Sequence, residues 1–253
     1  MIYFSLAIGI ILVLFLSFAT NELWVKYINN KLLKGFLLPG AIVHELSHAL
    51  LCLITGTTIS ELNLFRTDNT GIKYDKPKVP FVFDFIITSA PLFGCAFSIL
   101  LISGILSNPI RVNNAFPEKI PLSFNGLFNL IRYLLDSVWI TFHSFRSQFH
   151  IEEVRHVLFL FAIIVFTVSM SPHKQDFKYL IPGFAILFAI LFFLEKFGVS
   201  LLKNSWWSYF IKELWTITTL SISVLATLLF FTLIIMGFIK GYRLTFGQKG
   251  SNK

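Results

Sequence analysis

The sequence predicts an all-α, multi-pass membrane protein of about six transmembrane helices, with a small β-hairpin after the second. Three observations carry that reading. Apolar runs of bilayer length recur from one end of the 253 residues to the other. Only 13% of the residues are charged against 55% hydrophobic, with 30 Phe and a mean hydropathy of +0.75, whereas a soluble domain carries roughly a quarter charged residues. Lys, Trp and Tyr gather in the polar connections, where membrane proteins keep their interfacial anchors. The net charge of +8 is therefore accounted for by contact with a lipid bilayer, and no nucleic-acid partner is implied. Residues 1–253 read as a single membrane domain. Its core covers 36–106 and 156–197, and no stretch is polar enough for a large soluble domain. Cys52 and Cys95 both fall in apolar spans and read as small buried hydrophobes.

Taken in order, Ile2 to Ala19 is a nearly unbroken apolar run. It lacks a basic n-region and a small-residue cleavage site, so it reads as a retained helix and not as a signal peptide. Asn21 to Lys34, with Trp24, Tyr27 and three Lys, is expected to lie along the surface. Phe36 to Thr55 is the second span; Pro39 either kinks it or sits in its first turn. Gly56 ends it. Thr58 to Phe65 and Gly71 to Tyr74 then read as two short strands around the turn-rich 66–70. Val82 to Leu106 is the third span and contains Ser89-Ala90-Pro91-Leu92-Phe93-Gly94, a pattern that allows a kink or a close helix contact. Across 123–150 the chain reads as a surface or re-entrant helix, in which Arg132 and Asp136, four apart, can pair. His156 to Met170 and Phe177 to Leu194 are two apolar runs parted by Ser171-Pro172-His173-Lys174-Gln175-Asp176, either two spans with a tight connection or one broken helix. Leu214 to Ile239 is the last span, and 240–253 is a basic tail. Basic residues divide almost evenly between the two sides, so the positive-inside rule assigns no orientation.

The chemistry lies in the second span, at His44-Glu45-Leu46-Ser47-His48. Residues four apart on a helix share one face, so His44 and His48 can offer nitrogens to one metal ion. Glu45 stands beside them. Ionisable groups inside a membrane span are costly and read as functional, and this order of residues is a zinc-hydrolase pattern. A catalytic zinc takes three protein ligands and keeps one position for water, whose pKa it lowers. Glu45 is then the expected general base, taking a proton from that water and delivering it to the leaving amine. The motif does not supply the third ligand. Downstream candidates are His143, His150, His156, His173, Asp136, Glu152, Glu153, Asp176, Glu195 and Glu213. Asp176 is the first choice, because it follows a Ser-Pro break at the start of an apolar helix; His173 is the second. A plain helix cap would also account for an Asp at that position.

The order of HELSH in an early membrane helix, a short hairpin, SAPLFG in the next helix and an Asp-bearing break before a further helix resembles the site-2 protease family of intramembrane zinc metalloproteases. The likeness covers about Phe36 to Leu106 and Val168 to Leu194, some two fifths of the chain, and fits a small, divergent member. It implies zinc bound by His44, His48 and Asp176, and Glu45 as the catalytic residue. It also implies a transmembrane or membrane-associated protein as substrate, cut where its helix unwinds. Two features depart from the family pattern. No Asn follows the Ala90-Pro91 step in the third span, and the usual Leu-Asp-Gly around the third ligand is absent.

The resulting expectation is an intramembrane zinc metalloprotease, a multi-pass protein of the cell membrane. The hairpin would hold an unwound substrate segment by strand addition, an idea that Asn63 or Leu64 replaced by Pro would test. Two alternatives stay open: a catalytically inactive membrane-embedded binding or scaffold protein, and a surface-acting zinc protease with a Glu such as Glu152, Glu153 or Glu195 as third ligand.

Overall fold

The structure is a computed structural model and describes residues 2–28, 30–62, 72–107, 124–197 and 204–246. In chain order it contains α1 (Ile2–Tyr27), α2 (Asn30–Thr55), β1 (Ile59–Leu62), β2 (Ile72–Tyr74), α3 (Val82–Ile105), α4 (Phe124–Gln148), α5 (Val154–Ser169), α6 (Phe177–Lys196) and α7 (Ser205–Phe246). Five helices are long and apolar enough to cross a membrane: Tyr3–Tyr27, Leu32–Thr55, Val82–Ile105, Phe177–Leu194 and Ser205–Phe238. The expected sixth span, His156 to Met170, is α5. With 16 residues it reaches about 24 Å, short of the roughly 30 Å of a bilayer's hydrocarbon core.

The helices form one bundle around α5, which lies against α1, α2, α3 and α7. Its Phe159, Ile163, Val165 and Val168 are each at most 3% exposed, so this face of the short helix is core, while Val154, Val157 and Leu158 in its first turns are exposed. Tyr3, Leu6 and Ile10 of α1, Cys95 and Ile99 of α3, Leu180 and Phe184 of α6 and Trp215 and Ile222 of α7 complete the same apolar cluster. Two indole N–H groups tie α1 to α7, Trp24 to Thr232 Oγ1 at 3.0 Å and Trp207 to Tyr3 Oη at 2.8 Å. Both cysteines are free and buried, as expected.

Several boundaries differ from the sequence reading. Asn21 to Lys34 is no separate surface segment. It forms the last turns of α1 and the first turns of α2, because it contains no proline or glycine to interrupt helix formation. Pro39 is consequently inside α2, not in its first turn. The hairpin is present but shorter than expected: β1 and β2 pair antiparallel with Ile59 opposite Tyr74 and Leu62 opposite Ile72, and the register shifts between Ile59 and Glu61. The turn itself lies in 63–71, outside the described residues, as do Asn63 and Leu64. The helix expected over 123–150 is α4, packed on α7. Its Arg132 Nε and Asp136 Oδ2 stand 3.8 Å apart, with both side chains exposed. The basic tail begins within α7, which runs to Phe246.

Two glycines set how closely the bundle closes around α2. A methyl group on Gly94 of α3 would collide with the side chain of Ser47, and one on Gly40 of α2 would collide with Ser169 and Val165 of α5. Small residues at such points let helix backbones approach. The small-residue character of SAPLFG thus serves to bring α3 onto the motif turn of α2.

Candidate metal centre

Helix periodicity divides α2 into two faces. Leu46, Leu50, Leu53 and Ile54 are exposed and apolar, whereas His44, His48 and Cys52, at intervals of four, point inward and are at most 6% exposed. Since α2 starts at Asn30, His44 lies about 21 Å along it at roughly 1.5 Å per residue. The two histidines are therefore near mid-helix, well away from either end.

Each histidine is fixed by a backbone carbonyl. His44 Nδ1 lies 2.7 Å from the Ser169 carbonyl oxygen, and His48 Nδ1 lies 2.8 Å from that of Ile87. A carbonyl oxygen only accepts, so Nδ1 is the protonated nitrogen of both rings and Nε2 keeps its lone pair. That arrangement is how metal-binding histidines are held, one nitrogen donating to an orienting acceptor and the other free for the ion.

Both carbonyls are available for local reasons. Within a helix, the Ile87 carbonyl would accept from the N–H of residue 91, but Pro91 has none. Ser169 is the last residue of α5, and its carbonyl is among those a helix C-terminus leaves without an intrahelical donor. The N–H of His173, which would have continued that ladder, bonds to Asp176 Oδ2 at 3.0 Å. A proline in α3 and the early end of α5 together supply the two acceptors that set the tautomers.

The third member of the group is His173. Its ring centroid is 5.4 Å from that of His44 and 6.5 Å from that of His48, which are 5.0 Å from each other. One potential ligand atom from each of the three lies within 4.8 Å of the others. Asp176, the first choice from the sequence, is buried nearby at 6% exposure but is not in this group. It closes the turn that carries His173: its carboxylate accepts from the His173 N–H, and its own N–H donates to the His173 carbonyl at 2.9 Å. His173 was the second choice from the sequence, because spacing along the chain does not show how close each side chain of a tight turn comes to the α2 histidines.

The other candidates lie elsewhere. Asp136 pairs with Arg132 on α4. Glu153 accepts from Arg155 and, with His150 and His156, forms a separate cluster. His143 is on α4 and Glu213 on α7. The side chain of Glu195 lies outside the described residues.

The donor set fits a metal ion. His44 Nε2 and Glu45 Oε2 are buried with no hydrogen-bond partner, and an unsatisfied buried group of this kind costs about 1–3 kcal/mol. An ion on the imidazoles and a water on the carboxylate would satisfy both. No protein-family model matches this chain, and comparison with curated proteins and with solved structures gives no match. The reading of the centre rests on its own residues.

Two openings flank it. A cavity of about 170 Å³ is lined by Asn21, Leu37, His44, Glu45, Ser171 and His173, among others, and leads to the unpartnered carboxylate. On the hairpin side, a groove of about 800 Å³ runs between β2 (Ile72, Lys73, Tyr74) and the residues Asp84, Asp176 and Tyr179. Burial, with the negative charges of Asp84 and Asp176, pushes the Tyr74 phenol above its ordinary range. Its hydroxyl therefore stays protonated there and can donate.

Proposed function

We propose that this chain is an intramembrane zinc metalloprotease of the site-2 protease type, in the cell membrane, hydrolysing a peptide bond of a transmembrane or membrane-associated protein. The observation that carries the reading is the combination at His44 and Glu45: a tautomer-fixed imidazole and a carboxylate on one helix, each presenting a buried atom without a partner. A buried imidazole nitrogen and a carboxylate oxygen without a partner are costly, and an ion with its water would remove that cost.

His44, His48 and His173 would hold the ion, and three protein ligands with one open position is the arrangement of a catalytic site. Bound there, zinc supplies Lewis acidity toward water and the scissile carbonyl. Glu45 takes a proton from a water in the cavity and delivers it to the leaving nitrogen. Asp176 keeps the turn closed, so that His173 faces α2. The groups are buried between α2, α3, α5 and the turn before α6, so the carboxylate's proton transfers depend on the cavity beside Asn21.

Two variants test this. Glu45→Gln removes the base and keeps the ligands. Zinc stoichiometry should be unchanged while cleavage of a membrane-protein substrate falls by about 10²–10⁴, the usual range for a general acid-base group. Cleavage at the wild-type rate would refute the catalytic reading, and absence of any cleavage by the zinc-loaded wild type across a substrate panel favours the inactive binding protein. His173→Ala should lose zinc, whereas Asp176→Asn should weaken it by less. The reverse order would return the third position to Asp176.

A further inference from the structure

We infer that the chain carries a second site for a zinc-class transition-metal dication, formed by His150, Glu153 and His156 where α4 gives way to α5. It is independent of the centre on α2. The two sites stand at opposite ends of α5, which is about 24 Å long at 1.5 Å per residue.

The three residues follow each other at intervals of three across a turn whose backbone is already closed. Phe149 N–H donates to Phe145 O at 2.8 Å, Glu153 N–H to His150 O at 3.1 Å, and His156 N–H to Glu153 O at 2.9 Å. One potential ligand atom from each of His150, Glu153 and His156 lies within 4.8 Å of the others, the same proximity found for His44, His48 and His173. The His150 and His156 ring centroids are 5.7 Å apart, and His156 Nδ1 is 3.7 Å from Glu153 Oε2. Zinc holds imidazole nitrogens at about 2.0–2.1 Å, so rotamer adjustments of the exposed His150 and the half-buried Glu153 are enough to close the set.

Two observations favour a ligand site over a capped helix start. Glu153 occupies the N-cap position of α5 with an extended backbone, yet its side chain makes no capping hydrogen bond. The carboxylate is directed instead to Arg155 Nε, at 2.5 Å, and to His156. Arg155 engages one carboxylate oxygen, and the other remains for an ion. In addition, His150 Nδ1 lies 3.0 Å from the Gln148 carbonyl. That acceptor fixes the proton on Nδ1 and leaves Nε2 as a donor of its lone pair, by the same logic as at His44 and His48. His156 Nδ1 lies 3.3 Å from the backbone N and from the O of His150, and makes one of these bonds at a time; protonated, it donates to the carbonyl and leaves the Nε2 lone pair for an ion. Two imidazoles and a carboxylate suit zinc and its neighbours in the first transition row better than calcium or magnesium, which take oxygen ligands.

A dication here would staple the end of α4 to the start of α5, and α5 is the helix whose other end orients His44. The test uses the full chain, purified in detergent, stripped of metal and titrated with Zn²⁺ alone, with Co²⁺ absorption as a second readout. The wild type should bind two equivalents. His150→Ala, at an exposed position with little risk to folding, should bind one, and Glu153→Gln should weaken that same equivalent at least tenfold. His44→Ala/His48→Ala should also bind one, and this one should vanish when His150→Ala is added. If no equivalent is sensitive to His150→Ala or Glu153→Gln, the second site is refuted and the α2 centre is untouched. If the only equivalent bound is lost in His150→Ala and survives His44→Ala/His48→Ala, the second site stands and the proposed function falls.

Discussion

Pro91→Ala separates the stability of α3 from the chemistry of the centre, because the two should move in opposite directions. Proline in a helix interior costs about 3 kcal/mol relative to alanine, so the substitution should stabilise α3, less whatever its neighbours lose by repacking. It also restores an N–H at residue 91, one turn after Ile87, whose carbonyl orients His48 at 2.8 Å. An intrahelical hydrogen bond would then compete for that oxygen, with a net value of about 0.5–1.5 kcal/mol. Loss of such an orienting partner typically lowers metal affinity 10–100-fold, or about 1.4–2.7 kcal/mol. The oxygen has two lone pairs and can be shared, so the expected loss is near the lower end, about tenfold. The assay is zinc competition against a chromogenic chelator, alongside thermal unfolding of the metal-free protein. Pro182→Ala is the control, a proline inside α6 whose removal should leave zinc affinity unchanged. A Pro91→Ala protein that binds zinc within twofold of wild type would refute the argument that this proline exists to free the Ile87 carbonyl.

Other predictions follow from packing and from the hairpin. Gly94→Ala should destabilise the bundle by about 1–3 kcal/mol through overpacking, because the added methyl meets Ser47; Ser47→Gly in the same chain should recover part of the loss in a thermal melt, and no loss in the single variant would mean that α3 and α2 are free to separate. Among the described residues only one edge of β2 is paired, and β2 lines the groove that leads to Asp176, so a substrate segment adding to the other edge should depend on backbone donors there. Lys73 and Asp75 face β1 through their backbone, so the N–H of Tyr74 between them points to that other edge; Tyr74→Pro should then lower cleavage with zinc binding unchanged, and undiminished cleavage would remove the hairpin from substrate handling.

The elements that were legible in the sequence are those set by local physics. Long apolar runs with few charges gave the spanning helices, and the alternation around a polar turn gave the hairpin. His44, Glu45 and His48 were legible because their spacing alone puts the imidazoles on one face. What was not legible depends on which helix lies beside which. Val154 to Ser169 has the hydropathy of a span but is a shorter apolar helix, and only the bundle shows that its C-terminus meets α2. His173 and Asp176 sit on one turn, and both are plausible ligands by type. The structure groups His173 with His44 and His48 and gives the Asp176 carboxylate the His173 N–H to accept from, contacts with no counterpart in residue order.

The short length of α5 and the proline in α3 then have a single explanation. In a low-dielectric interior a backbone carbonyl without a donor is costly, so a helix that stops mid-bundle and a helix that carries a proline each create a polar group that must be satisfied there. In this chain each of those two carbonyls accepts from a motif histidine, one from His44 and one from His48. The defects and the imidazoles satisfy one another, and in doing so they leave both Nε2 lone pairs available for an ion. A bundle of unbroken helices around the same HELSH sequence would have no free carbonyl at these positions. Its histidines would have to find side-chain partners, and their tautomers would no longer be fixed for binding a metal.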